Sequence, residues 1–170
     1  FKYPIFSADK EVANIYRKNK NFYTELKKKI PKFVTTYPIN KKEIIKAILQ
    51  DKNNLKKITN IIHPIIRKKL SRFINKNKNK KALLIDVPLY LENKLNKKND
   101  IIIYIDAKDR DINRRLKKRP NFNQKLINRF KKIQLKSTLK RKKSDYILKN
   151  NFNSNNLKKE IKKLKKKIFK

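Results

Sequence analysis

Ala82-Leu83-Leu84-Ile85-Asp86-Val87-Pro88-Leu89-Tyr90-Leu91-Glu92 is the stretch on which the fold turns. Four apolar residues in a row, ended by a carboxylate and a Val-Pro pair, predict a buried strand over 82–86. The pattern recurs. Ile101-Ile102-Ile103-Tyr104-Ile105 is a second apolar run, read as a buried strand ending at Asp106-Ala107. Tyr3-Pro4-Ile5-Phe6 is shorter and ends at Ser7-Ala8-Asp9, and Asp145-Tyr146-Ile147-Leu148 is the last. Helical periods fill the intervals. Strands alternating with helices argue an α/β fold with a parallel sheet, in which ligands bind beyond the carboxyl ends of the strands. Asp9, Asp86 and Asp106 all fall at or just past a predicted strand end.

The helices follow from apolar spacing and end signals. Asp9 starts one over 9–18, with Val12, Ala13 and Tyr16 at helical intervals. Another covers 20–30 and stops at Pro31. Asn40 is placed to cap a helix over 41–50, with Glu43 three residues on, as in a capping box. Asp51 caps the next, whose stripe of Leu55, Ile58, Ile61 and Ile62 meets Pro64, where the helix should bend or restart. Ile65, Ile66, Leu70 and Phe73 continue that face, and 75–81 reads as a polar loop. A basic helix spans 109–119, two more fit 123–133 and 134–142, and a terminal helix runs from 154 with Leu157, Ile161, Leu164 and Ile168 on one side.

Composition bounds the function. A chain of 170 residues is read as a single domain. It carries 51 Lys and Arg against 13 Asp and Glu, a formal net charge of +38. Such a balance points to nucleic acid or an acidic membrane surface, or else to a Lys, Asn and Ile background spread through the whole chain. The basic residues are not confined to one tail or one helix. There is no Cys and one His, His63, so a cysteine metal site, a disulfide and a His cluster are all excluded. No apolar run approaches the roughly 20 residues of a membrane helix, and cytoplasmic residence is the expectation. No glycine occurs anywhere, so neither common type of glycine-rich phosphate loop exists within these residues.

Four clusters could carry chemistry. Asp9, at a strand end and helix start, either accepts a hydroxyl proton or only caps its helix. His63-Pro64-x-x-Arg67 sets an imidazole and a guanidinium one helical turn apart, a pair suited to phosphate, or else a structural His beside an exposed Arg. Asp86, with Glu92 six residues on, is either a carboxylate near a magnesium-bound phosphate or a strand end with its turn. Arg114-Arg115-x-x-x-Arg119 either clamps phosphates or forms a solvated basic face. Arginines gather here while lysine dominates elsewhere, and Arg is the better bidentate phosphate ligand.

Taken in order, these segments resemble the dephospho-CoA kinase family. Ser7-Ala8-Asp9, Ile61-Ile62-His63-Pro64-Ile65-Ile66-Arg67, Asp86-Val87-Pro88-Leu89-Tyr90-Leu91-Glu92, the basic helix and Ser144-Asp145-Tyr146-Ile147-Leu148-Lys149-Asn150-Asn151 carry the likeness over nearly all of the chain. It implies a phosphate-loop NTPase-like parallel sheet with a helical CoA-binding insert at about 20–80 and a lid at about 109–142. It implies transfer of the γ-phosphate of ATP, with Mg2+, to the 3′-hydroxyl of dephospho-CoA. Asp9 would then be the catalytic base. His63, Arg67, Asp86 and Glu92 would lie by the acceptor substrate. Arg115 and Arg119 would cover the ATP phosphates, and Asn150 would lie near the adenine. No membrane and no specific nucleic acid would be partners.

Two positions depart from the family pattern. Ser7 stands where a first Asp is usual, and Phe152 where a Gly commonly follows Asn-Asn. The family's phosphate loop and first strand would precede Phe1, so the expectation is a sheet lacking its first strand and negligible kinase activity from these residues alone. The alternative reading is a basic nucleic-acid-binding protein without catalysis, whose affinity would collapse with salt. It offers no reason for three strand-end carboxylates.

Overall fold

The computed structural model describes residues 3–120 and 122–169. It divides into two compact units, Phe1–Pro88 and Leu89–Lys170. Within each, two short parallel strands are joined through helices, which is the α/β class expected.

In Phe1–Pro88, β1 (Ile5–Ser7) runs without a linker into α1 (Ala8–Lys18). A single residue, Asn19, then separates α1 from α2 (Lys20–Lys29). Asn19 closes one helix and opens the next. Its backbone N–H donates to the Ile15 carbonyl, and its side chain accepts the Phe22 N–H at 2.9 Å. Phe22 and Leu26, one turn apart, are fully buried, and Phe22 stacks on Tyr16 with ring centroids 5.7 Å apart. Burial pushes the Tyr16 hydroxyl up to about 12.

Asn40 caps α3 (Lys41–Gln50) and Asp51 caps α4 (Lys52–Lys76), each through its side-chain oxygen. The expected capping box is half made. Glu43 accepts from the Thr35 hydroxyl instead of reaching back to its own cap. Pro64 neither ends nor restarts α4, which continues through it for 25 residues. A mid-helix proline costs ~3 kcal/mol. Burial of Ile58, Ile61, Ile62, Ile66 and Leu70 on both sides of it offsets that, at ~1.5–3 kcal/mol for each large side chain. The helix also takes in Asn75 and Lys76, which the polar pattern had assigned to a loop.

Asn54 is the one buried polar residue among those described, and its amide donates to the Ala47 carbonyl at the end of α3. α4 reaches α1 through Lys69 and Glu11 (2.8 Å) and reaches β1 through Phe73 and Phe6, whose rings are 5.5 Å apart. β2 (Leu84–Asp86) closes the unit beside β1.

In Leu89–Lys170, β3 (Ile103–Asp106) pairs with β4 (Tyr146–Lys149). Between them come α5 (Asp109–Lys117), α6 (Gln124–Lys132) and the short α7 (Ser137–Lys142), and α8 (Ser154–Ile168) follows and packs on β4. Asp145 explains why an aspartate opens β4. Its carboxylate accepts the Ile102 N–H at 2.7 Å and its own N–H donates to the Ile102 carbonyl, which extends the ladder by one step.

The expectation of buried strands fails here. Ile103, Ile105 and Ile147 are 37%, 59% and 43% exposed, and only Leu148 is buried. In a pair of strands each has a neighbour on one side only, and alternate side chains point to opposite faces. Ile103 and Ile105 share one side of β3 by that alternation, and both stay in solvent. The same holds more mildly for Ile5 and Leu84 in the β1–β2 pair. No helix among the described residues is long and apolar enough to cross a membrane.

Candidate functional site

The parallel register of β1 and β2 sets Ser7 opposite Asp86. Both strands therefore deliver their carboxyl ends to the same edge of the pair. Ser7 has the extended backbone of an N-cap but makes no side-chain capping bond. Asp9 follows as the second residue of α1, where the helix dipole favours a negative charge. Asp9 is thus not the cap, and its exposed carboxylate is not spent on the helix end. Asp86 is exposed as well.

Most other carboxylates are engaged. Glu11 holds Lys69, Glu92 holds Lys140, Asp106 holds Arg141, Asp111 holds Arg114 and Glu160 holds Lys163. Glu43, Asp51, Asp100 and Asp145 accept hydrogen bonds. Asp9 and Asp86, with Glu25 and Asp109, have no hydrogen-bond or ion-pair partner among the described residues. In a chain with 51 cationic side chains, two unpaired carboxylates at one strand edge are an exception that a ligand can use.

His63 and Arg67 lie one turn apart on α4, as the spacing predicts. His63 is half-buried and Arg67 exposed. Burial, and then the Arg67 charge, hold the imidazole below its ordinary value, so it is neutral at pH 7. A neutral imidazole beside a guanidinium offers an N–H and a charged fork to a phosphate. A dianion arriving there would raise the His63 value again.

In Leu89–Lys170 the sequence-predicted residues meet different fates. Glu92 is occupied. Its Oε1 accepts from Lys140 Nζ at 2.9 Å and from the Leu135 N–H at 2.9 Å, with only 11% of the side chain exposed. Burial works to raise its carboxyl, but the bonds from Lys140 and Leu135 outweigh it and leave it below the usual range. Glu92 therefore fastens the 88–94 turns to residues 135–140, a task that its place six residues after Asp86 did not announce.

Arg115 sits in the last turn of α5, with its guanidinium carbon 4.6 Å from the centroid of the Phe152 ring. Arg119 lies beyond the end of α5, exposed, in the turn before Pro120. Asn150 follows β4. Its N–H donates to the Asp106 carbonyl at 2.7 Å, and its side-chain oxygen accepts the Phe152 N–H at 2.9 Å. The amide NH2 of Asn150 remains for a ligand. Arg115 and the Asn150 turn are thus brought together through Phe152, and Arg119 is not part of that contact.

Phe152 has φ 61, the left-handed region that favours glycine. Leu89 and Lys94, at φ 59 and 51, share it. A chain with no glycine fills these positions at a cost of ~1–2 kcal/mol each.

Sequence reasoning missed Arg141. It pairs with Asp106 at 2.7 Å and so neutralises the strand-end carboxylate of β3. The available signal was its type, since it is the one arginine in the lysine-rich stretch 131–143. Among the described residues no group of three or more His, Cys, Asp or Glu could hold a metal ion by itself.

The chain is similar to known proteins over most of its length. The family model for dephospho-CoA kinase matches residues 1–156. A dephospho-CoA kinase from Wolbachia sp. subsp. Brugia malayi is 32% identical over 146 residues, covering 85% of this chain and 74% of that protein. One from Bartonella quintana is 30% identical over the same shares. Among solved structures, a Thermus thermophilus protein superposes with a TM-score of 0.72 at 20% identity, over 99% of this chain and 86% of its own. A dephospho-CoA kinase from Campylobacter jejuni gives 0.62 at 24% identity, over 98% and 84%. The fold they share is the phosphate-loop NTPase-like α/β fold.

Proposed function

This chain belongs to the dephospho-CoA kinase family, and on that premise we propose that it moves the γ-phosphate of ATP to the 3′-hydroxyl of dephospho-CoA with Asp9 as the base. The observation that carries the proposal is the pair of unpartnered carboxylates, Asp9 and Asp86, at the shared carboxyl edge of β1 and β2. In the reaction the 3′-oxygen bonds to the γ-phosphorus, the bond from that phosphorus to the β,γ-bridging oxygen breaks, and ADP leaves. The hydroxyl proton passes to the Asp9 carboxylate.

His63 and Arg67 suit the phosphate groups of the acceptor. Arg115 and Arg119 suit the phosphates of ATP, and the free amide of Asn150 suits a base edge. Phosphoryl transfer asks for positioning and charge stabilisation above all, which fits a site made of arginines and a few carboxylates. Magnesium takes one or two protein oxygens and draws the rest of its shell from phosphate and water. Asp86 can supply such an oxygen, and the ion would neutralise phosphate charge.

The test is steady-state kinetics on the full-length protein with ATP and dephospho-CoA. Asp9→Asn should lower kcat by about 10²–10⁴-fold, with KM for dephospho-CoA nearly unchanged. An Asn variant as fast as the parent removes the base role.

A further inference from the structure

We propose that Phe152 is a positioning residue, whose ring seats the Arg115 guanidinium and so ties the arginine of α5 to the Asn150 turn that meets the nucleotide. The inference rests on the nucleotide reading of Arg115 and Asn150 above, and its observations all lie within Leu89–Lys170. The first is the contact itself, 4.6 Å from guanidinium carbon to ring centroid, inside the roughly 6 Å at which a ring face attracts a cation.

The second is what the neighbouring arginines do. Arg114 is held by Asp111 and Arg141 by Asp106, whereas Arg115 has no carboxylate partner among the described residues. The ring holds it in place without neutralising it. A guanidinium over a ring keeps its N–H edge free for a phosphate. One spent on a carboxylate does not.

The third is the backbone. A bulky residue at positive φ is an outlier that persists only when its surroundings hold it there. The Phe152 N–H bond to Asn150 and the Asn150 N–H bond to Asp106 provide that hold. Any shift of the Asn150 side chain therefore reaches the ring, and through it Arg115. The residue that strains the turn is the one that connects the two nucleotide-facing groups.

Three variants separate ring from bulk and from backbone. Phe152→Tyr keeps an aromatic face, Phe152→Leu keeps only bulk, and Phe152→Gly relieves the backbone while removing the ring. Two readouts apply to the full-length protein. The Arg115 Nε–H resonance should carry a ring-current shift in the parent and the Tyr variant, and lose it in Leu and Gly. Half-saturation by ATP should weaken about 3–10-fold in Leu and Gly, the cost of ordering a loose arginine, and recover in Tyr, with dephospho-CoA binding unmoved. The Gly variant guards against misfolding, because it eases the turn. A Leu variant that binds ATP like the parent, or keeps the resonance where it was, overturns the proposal. A parent that binds no ATP, with the ring-current shift intact, overturns the nucleotide reading and leaves the Phe152 seat standing.

Discussion

Every buried apolar side chain among the described residues except Leu148 belongs to Phe1–Pro88. Among the described residues every left-handed one, Leu89, Lys94 and Phe152, belongs to Leu89–Lys170. The same lysine-rich composition has thus been organised in two ways. In the first unit helices α1 to α4 enclose Phe22, Ile15, Leu26 and Val34, with the buried Asn54 amide bonded to the Ala47 carbonyl. In the second, cohesion comes from paired groups: Glu92 with Lys140, Asp106 with Arg141, Tyr90 with Asp100, and Arg115 on Phe152. Apolar burial is indifferent to ionisation, while pairing depends on it. The difference teaches that a chain with few carboxylates can still build on them where a core is thin.

The largest expected effect tests the first half of the contrast. Phe22→Ala removes a fully buried ring stacked on Tyr16 and should cost about 3–5 kcal/mol in chemical denaturation. A loss below about 1 kcal/mol would mean that α1 and α2 do not share the core described.

Next comes Glu92→Gln, which keeps an acceptor for the Leu135 N–H but removes the charge facing Lys140. It should cost about 1–3 kcal/mol, read as faster amide exchange in 135–142. The parent should show the same loosening in acid. Because the folded-state value of Glu92 lies below its ordinary 4.5, the stabilisation is complete above pH 4.5 and is lost as pH falls through that lowered value. The Gln variant should lack this acid step. If it loosens with the same pH profile as the parent, another carboxylate is responsible.

The smallest effect is a gain. Lys94→Gly places glycine at an exposed left-handed residue and should stabilise by about 0.5–1 kcal/mol, after the extra freedom glycine has when unfolded. Thermal unfolding would show it. A loss instead would mean that the Lys94 side chain holds more than its backbone costs.

How far the sequence could be read follows the same division. Local signals worked wherever the cause was local. Asn40 and Asp51 cap as their types predict, the 41–50 helix has the predicted ends, and Asp9 with Asp86 reach one edge because parallel strands end together. Signals that depend on distant partners did not. Lys140 meets Glu92 from far along the chain, and in so lysine-rich a sequence nothing marks one lysine over another. The exposure of Ile103 and Ile105 was equally hidden, because an apolar run tells how a segment prefers to be placed and not what lies over it. Phe152 was visible as a departure from a glycine, but the cation on its ring was not.

The exposed isoleucines of the β3–β4 pair, Ile103 and Ile105 on one face and Ile147 on the other, carry a consequence for handling the protein. Molecules exposing Ile103, Ile105 and Ile147 would cohere on contact, yet each bears a formal charge of +38. Repulsion between like-charged molecules is felt over roughly 10 Å at 0.1 M salt and only about 3 Å at 1 M. Colloidal stability should therefore fall as salt is added, the reverse of the salting-in that many proteins show. A stock kept dilute in salt should stay clear, and one prepared for storage in concentrated salt should cloud.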